Sequence, residues 1–374
     1  MAILSAGIAN TETVNDRLLL QQAMESCPAR KTSGTLRIAF IGDVMLHQAQ
    51  ITGACRGNGD FDFSEYFAGI KDDLEGADLA IANMEFTMAG EPYTGYPAFS
   101  APDEYAEYMA DCGVDVFLTA NNHILDKGEK GLLRTLSVYR RLERERGIRM
   151  TGSAENADSA ARNYPLLLNA GGLKIAIINF TYGTNSSFGK PWPGTNLTVR
   201  EEIRKALEKA RDSGAGLTIA VPHWGNEYET SHSSTQEELA RWLAANGADL
   251  IVGAHPHVVQ DTALLVTSDA DGKIREVPVI YSLGNAISNM SAVNTQIGLL
   301  VEVDIERDCW GGVVEIVPEY TFLWSSLPGR LGRGHCTVKV KDYLGKKEYW
   351  RQPYEYGKMV NTYRNIKALT GIED

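Results

Sequence analysis

The chain has 374 residues, 44% of them hydrophobic and 22% charged, with a formal net charge of -12. That length and apolar share suffice for a large core in one big domain or two smaller ones, while the acidic balance excludes non-specific nucleic-acid binding, which needs a basic footprint. An anionic substrate would need a bound cation to reverse the local field.

Residues 1–34 read as a polar helical lead-in ending at Pro28 and the Lys31-Thr32-Ser33-Gly34 turn. Met1–Asn10 has no basic stretch and only a short apolar patch, unlike a signal peptide. No apolar run approaches the length that crosses a bilayer. An alternating strand–helix pattern follows. Leu36–Gly42 is a mostly apolar strand, Phe63–Glu75 is helix-like, Asp78–Asn83 is a strand, Asp103–Cys112 a helix and Val114–Ala120 a strand. Lys130–Arg146 is a long charged helix with Leu132, Leu133, Leu136, Tyr139 and Leu142 on one stripe. Tyr164–Leu168 and Leu173–Phe180 form a hairpin through Asn169-Ala170-Gly171-Gly172. Glu201–Asp212 is a helix, Leu217–Val221 a strand, Thr235–Asn246 a helix and Asp249–Val252 a strand. Val258–Leu265, Val277–Ser282, Gly298–Ile305 and Gly312–Val317 then read as antiparallel strands, and Gln352–Leu369 as an amphipathic helix. Such an order predicts an α/β fold with two packed sheets and helices outside. With no linker, repeat or low-complexity tract, one catalytic domain is the simplest organisation. The cysteines Cys27, Cys55, Cys112, Cys309 and Cys336 are odd in number and scattered, so they read as free thiols or packing residues.

Chemistry in open α/β sheets gathers at the carboxyl ends of strands. Here those ends carry Gly42-Asp43, Asn83-Met84-Glu85, Asn121-Asn122-His123 with Asp126, Pro222-His223-Trp224-Gly225, and His255-Pro256-His257. Four of the 7 histidines lie there. In an extended segment, positions i and i+2 share a side, so His255 and His257 can reach one metal cluster. Carboxylates, amides and imidazoles together suit a pair of divalent ions such as Mn, Zn or Fe. A single strand-end Asp such as Asp43 is more often a turn or cap residue; the set as a whole favours ligation.

The order D…N-x-E…N-N-H-x-x-D-x-G…H-W-G…G-x-H-P-H…S-L-G-N, from about Leu36 to about Asn289, resembles the CapA/PgsA family of capsule and poly-γ-glutamate biosynthesis proteins, a branch of the calcineurin-like metallophosphoesterase superfamily. The resemblance implies a four-layer α/β/β/α sandwich over residues 35–320, with a helical tail in a C-terminal extension, 321–374, packed on the core. It implies that Asp43, Glu85 (as the bridging carboxylate), Asn122, His223, His255 and His257 hold one or two divalent ions. His255 would pair with His223 on one ion, and His257 would serve the other. His123 would protonate the leaving group, oriented by Asp126, while the cations activate a water for in-line attack on phosphorus. Asn83 lies beside Glu85. The superfamily's D-x-H opening is Asp43-Val44-Met45 here, and a thioether is a poor ligand for such ions; His47, two residues on, could substitute. The resemblance also implies an extracytoplasmic, envelope-associated setting and other capsule-synthesis components as partners.

Glu227 and Tyr228 in the H-W-G-x-E-Y string, and Asn285 in Ser282-Leu283-Gly284-Asn285, either line the substrate cleft or serve turns. His232 reads as a surface loop residue, and His335 has no partner in sequence. Gly183–Lys190 is one residue too long for a phosphate loop and is followed by Pro191 where Ser or Thr should bind magnesium. No G-x-S-x-G elbow is present. Two functions compete. One is a metal-dependent hydrolase of a phosphoester or envelope intermediate. The other is a non-catalytic accessory protein that binds an anionic polymer during capsule assembly or export.

Overall fold

Strand β1 (Leu36–Val44) shows how the sequence builds layers. Side chains alternate across a strand. Ile38 and Phe40 point into a cluster shared with Ile175, Ile177, Ile219 and Val252, whereas Ala39 and Ile41 point into another with Leu74, Met109, Leu132 and Tyr139. The first partner set belongs to a second sheet, the other to helices. This computed structural model describes residues 35–374 apart from positions 58, 188, 269–271, 273 and 309; the expected helical lead-in lies outside them.

Beside β1 run β2 (Leu79–Met84), β3 (Val116–Leu118) and β4 (Arg149–Thr151), all parallel. Helices α1 (Gln48–Ala54), α2 (Lys71–Gly76), α3 (Asp103–Asp111) and α4 (Gly128–Arg146) supply the apolar side chains over their outer face. After α5 (Ala157–Asn163) the chain enters a six-stranded sheet. It contains the predicted hairpin of β5 (Leu166–Ala170) and β6 (Leu173–Thr181), then β7 (Leu217–His223), β8 (Leu250–Val252), β9 (Thr262–Ser268) and β10 (Ile274–Ile280), ordered β9-β10-β8-β7-β6-β5. Ile203 and Leu207 of α6 (Arg200–Asp212) and Leu239 and Leu243 of α7 (Ser234–Ala245) pack on Ile178 and Phe180. Strands β11 (Asn285–Ile287), β12 (Ile297–Arg307), β13 (Val313–Ser326) and β14 (Cys336–Lys339) rejoin the first sheet, which reads β14-β13-β12-β1-β2-β3-β4 with β11 paired to β1. The cluster between the sheets also takes in Met359, Val360 and Ile366 of α9 (Pro353–Thr370), which follows the short α8 (Val340–Tyr343). The layers therefore run helix, sheet, sheet, helix, the four-layer α/β/β/α sandwich expected, with the helical tail.

Some expectations are corrected. Phe63–Glu75 is helical only from Lys71, although Phe63, Tyr66, Phe67 and Ile70 keep a helical spacing. Tertiary partners take the backbone groups instead: the Phe67 amide donates to Tyr108 Oη at 2.9 Å, and the Tyr66 carbonyl accepts from Thr337 N at 2.7 Å. The strand expected from Val258 begins at Thr262, because Val258–Gln260 turn past the candidate site. The strand expected over Val277–Ser282 is Ile274–Ile280, and it runs parallel to β8 while antiparallel to β9. Strand β13 continues through residues 320 and 321, and β14 extends the same sheet from within the tail.

Candidate metal centre

Parallel strands deliver their carboxyl ends to one edge, and here two sheets do so side by side. Asp43 is the penultimate residue of β1, Asn83 lies in β2 with Glu85 just beyond it, and Asn122 and His123 follow β3. His223 ends β7, and His255 and His257 follow β8. Asn179 of β6 stitches the sheets at this edge. Its Oδ1 accepts from Thr119 N at 3.1 Å and Ala120 N at 2.8 Å, and its Nδ2 donates to Val221 O at 2.9 Å. A lone amide in the apolar run Ile177-Ile178-Asn179-Phe180 was the available signal for it.

All the strand-end donors are buried, Asp43 and Glu85 completely. Asn83 Nδ2 donates to Asp43 Oδ1 at 2.7 Å and lies 3.3 Å from His223 Nδ1, while His223 Nε2 lies 3.0 Å from Asn122 Oδ1. His257 Nδ1 lies 3.1 Å from Asp43 Oδ2 and 3.0 Å from Asn285 Oδ1. Both neighbours are acceptors, so Nδ1 carries the proton and Nε2 keeps its lone pair. That lone pair faces Glu85 Oε1 at 3.8 Å, and His223 Nε2 lies 3.7 Å from the same oxygen, both beyond hydrogen-bond length. Both Glu85 oxygens, Asn83 Oδ1 and His255 Nδ1 are consequently buried without a hydrogen-bond partner. Buried polar atoms are normally paired, and a carboxylate with neither oxygen paired is costly.

These orphaned atoms fit a cation. Donor atoms of Glu85, His255 and His257 lie within 4.8 Å of one another, as do those of Asp43, Glu85 and His223. Glu85 is common to both groups, as a bridging ligand would be. The grouping sets His255 with His257, whereas the resemblance implied His255 with His223; the rings of that latter pair are 4.7 Å apart. The donors are oxygen and imidazole nitrogen without thiolate, a set suited to Mn, Zn or Fe.

Electrostatics agree. Without a cation, burial, and then the charges of Asp43 and Glu227, hold the Glu85 carboxyl well above its ordinary range. Burial, then the neighbouring imidazoles, depresses His223 well below the usual histidine value, and His255 is pushed down to about 3 by burial and His257. Both shifts favour neutral imidazoles, the form that can ligate a metal, and His255 Nδ1 has no other partner. His257 moves the other way: burial lowers it, but the hydrogen bond and charge of Asp43 prevail and raise it.

The backbone here is strained. Among the described residues, positive φ outside glycine occurs at Tyr228 (67°), His255 (103°), His257 (59°) and Asn294 (66°). Non-glycine residues seldom adopt this region, and such strain clusters at functional sites. Gly253 permits the approach: a Cβ there would fall on the Tyr281 carbonyl oxygen and the Trp224 indole nitrogen. Gly253→Ala is therefore expected to cost about 2 kcal/mol or more in urea unfolding and to lower metal content; an unchanged midpoint would refute this close-packing account.

His123 stands apart from the donor groups. Its Nδ1 lies 2.7 Å from Asp126 Oδ2, which also accepts from the Phe99 amide at 2.9 Å. Asn121 Oδ1 accepts the His123 amide at 3.1 Å. Asn185 Nδ2 lies 3.3 Å from His123 Nδ1, a neighbour that composition alone did not reveal. Met45 is packed in the helix-side core. His47 falls outside both donor groups: its Nδ1 lies 3.2 Å from the Asn289 amide nitrogen and 3.3 Å from Gln50 Oε1. The histidine without a sequence partner, His335, is buried, with Nε2 2.8 Å from Asn289 Oδ1. His232 sits in a partly exposed loop, its Nδ1 2.9 Å from Asp261 Oδ2. Glu227 and Tyr228 are exposed at the rim, with the Tyr228 ring 6.4 Å from that of His257, whereas Asn285 touches His257 directly.

Comparison with known proteins adds the family. Residues 37–290 match the family described as bacterial capsule synthesis protein PGA_cap. The capsule biosynthesis protein CapA of Bacillus anthracis is 27% identical over 296 residues, 76% of this chain and 67% of that protein. The PGA biosynthesis protein CapA of Bacillus subtilis (strain 168) is 27% identical over 210 residues, 56% of this chain and 51% of that protein. The Haemophilus influenzae NAD nucleotidase structure aligns with a TM-score of 0.44 at 15% identity, covering 88% of this chain and 62% of that one. The chain thus spans about two thirds of one CapA and half of the other. With more than half of its residues in the matched region, the chain belongs to the bacterial capsule synthesis protein family PGA_cap.

Proposed function

We propose that this protein is a divalent-metal-dependent phosphoesterase acting in capsule assembly at the cell envelope. The observation that carries the reading is Glu85, whose two carboxylate oxygens lack partners inside a fully buried shell of imidazoles and carboxylate. Asp43, Glu85, Asn122, His223, His255 and His257 would hold the metal, with Asn83 positioning Asp43. Bound cations supply charge neutralisation at the phosphoryl oxygens and activation of the attacking water. His123 would donate a proton to the leaving oxygen from Nε2. Asp126 fixes its ring through Nδ1, and the Phe99 amide fixes Asp126.

The test is to strip the protein with chelator, reload it with Mn, Zn or Fe, and measure metal by elemental analysis beside phosphoester hydrolysis. Metal-dependent turnover is expected. Metal-free protein after reloading, with no hydrolysis of any phosphoester, would sink the reading. Met45 favours a second one: where the superfamily has histidine, this chain offers a core thioether. On that reading the site binds an anionic polymer without turning it over, and poly-γ-glutamate would bind in a metal-dependent way to a protein inert towards phosphoesters.

A further inference from the structure

The rim of the site is aromatic. Tyr96, Tyr182 and Tyr228 are 71%, 51% and 49% exposed, although each is a large ring that gains by burial. They come from three separate loops, and each lies against a different histidine. The Tyr96 ring is 6.5 Å from His123, Tyr182 is 4.5 Å from His255 and Tyr228 is 6.4 Å from His257. The loops are pinned. Tyr182 N donates to His223 O at 2.9 Å, and Tyr228 N donates to Pro256 O at 2.8 Å. Tyr228 is held there despite its positive φ of 67°, a strain that persists only where the surroundings enforce it. Beside it, Glu227 adds an exposed carboxylate. Asp43, Glu85 and Asp126 have ion-pair contacts only with histidine among the described residues.

A run of carboxylates would meet repulsion from Glu227. Exposed tyrosine faces stack on rings, and a carboxylate accepts hydrogen bonds from hydroxyl groups. We propose that Tyr96, Tyr182 and Tyr228 form a specificity collar that selects phosphoesters whose leaving alcohol is a sugar ring. This rests on the phosphoesterase reading and names its substrate class.

The experiment compares kcat/KM of the Mn-loaded protein on glucose 1-phosphate and on glycerol 3-phosphate, which lacks a ring. The sugar phosphate is expected to be favoured by about tenfold or more, the scale of discrimination that a few apolar contacts give. Tyr182→Ala and Tyr228→Ala should each draw the ratio towards one, while Tyr182→Phe and Tyr228→Phe should keep it. A second arm uses saturation-transfer NMR of methyl glucoside on the metal-loaded protein, with Tyr182→Ala as the control that loses the signal. Hydrolysis without ring preference and without glucoside binding would overturn the collar, and so would a stronger preference for a nucleoside monophosphate over its base-free sugar phosphate, which would make the base, and not the sugar, the ring that the tyrosines select. Glucoside binding that depends on Tyr182 in a protein that hydrolyses nothing would uphold the collar and refute the phosphoesterase reading.

Discussion

His123→Ala is expected to lower turnover of an alkyl phosphate by about 10³-fold, within the range a positioned proton donor supplies, with bound metal unchanged. The separation follows from geometry. His123 belongs to neither donor group, and its Nδ1 is committed to Asp126 at 2.7 Å, so its removal takes away a proton donor and leaves the ligand shell whole. A leaving-group series distinguishes this role from simple packing. An alkoxide needs its proton during bond cleavage, whereas p-nitrophenolate leaves without one, so the loss should shrink to about tenfold or less for p-nitrophenyl phosphate. Asp126→Asn should reproduce the pattern at smaller amplitude, because an amide can still orient the ring but cannot balance an imidazolium. An equal loss on both substrates, or a loss of metal with the alanine change, would remove His123 from the proton-donor role.

The layers and the edge where the donors meet were legible for one reason: both depend on local periodicity. Alternation in Leu36–Val44 divides its side chains between two clusters, and parallel strands put Asp43, Asn83, His223 and His255 at one edge however far apart they lie in sequence. What could not be read depends on long-range contact. Asn179 looks like a lone polar residue in a strand until the amides of Thr119 and Ala120, about sixty positions away, are seen to end on it. His335 is silent in sequence because its partner, Asn289, lies 46 positions upstream and in turn binds His47, 242 positions upstream. Tyr96 and Asn185 belong to loops rich in Gly, Pro and aromatics, where no period fixes which side chain turns inward. Cys336–Lys339 is only four residues long and has meaning as a strand only beside Leu323–Ser326. Phe63–Ile70 failed the other way: its helical spacing is real, but side chains and strands elsewhere claim the backbone groups a helix would use.

Glu85→Gln should raise the stability of the metal-free protein and abolish its stabilisation by metal. Burial together with Asp43 and Glu227 holds the Glu85 carboxyl well above its ordinary range in the folded state. A carboxyl so raised keeps its proton in the folded chain at pH values where the unfolded chain has released it. Folding then takes up a proton, and stability falls as pH rises from the ordinary carboxyl value through the raised one. Glutamine keeps the shape and removes the charge. The variant should therefore be more stable than the parent in chelator at pH 8, by roughly 1–3 kcal/mol, the scale of an unpaired buried polar group, and the gap should narrow towards pH 5. A cation does for the parent what the proton does. At free metal a hundredfold above its Kd, ligand binding adds about 2.7 kcal/mol, whereas the variant, with one weakly donating amide in place of a shared carboxylate, should gain little. Urea unfolding of both proteins, with chelator and with Mn, at pH 5 and pH 8 measures all four corners. Equal metal stabilisation of parent and variant would show that Glu85 does not bridge. A variant less stable than its parent in chelator would show that its oxygens are already satisfied by contacts within the protein.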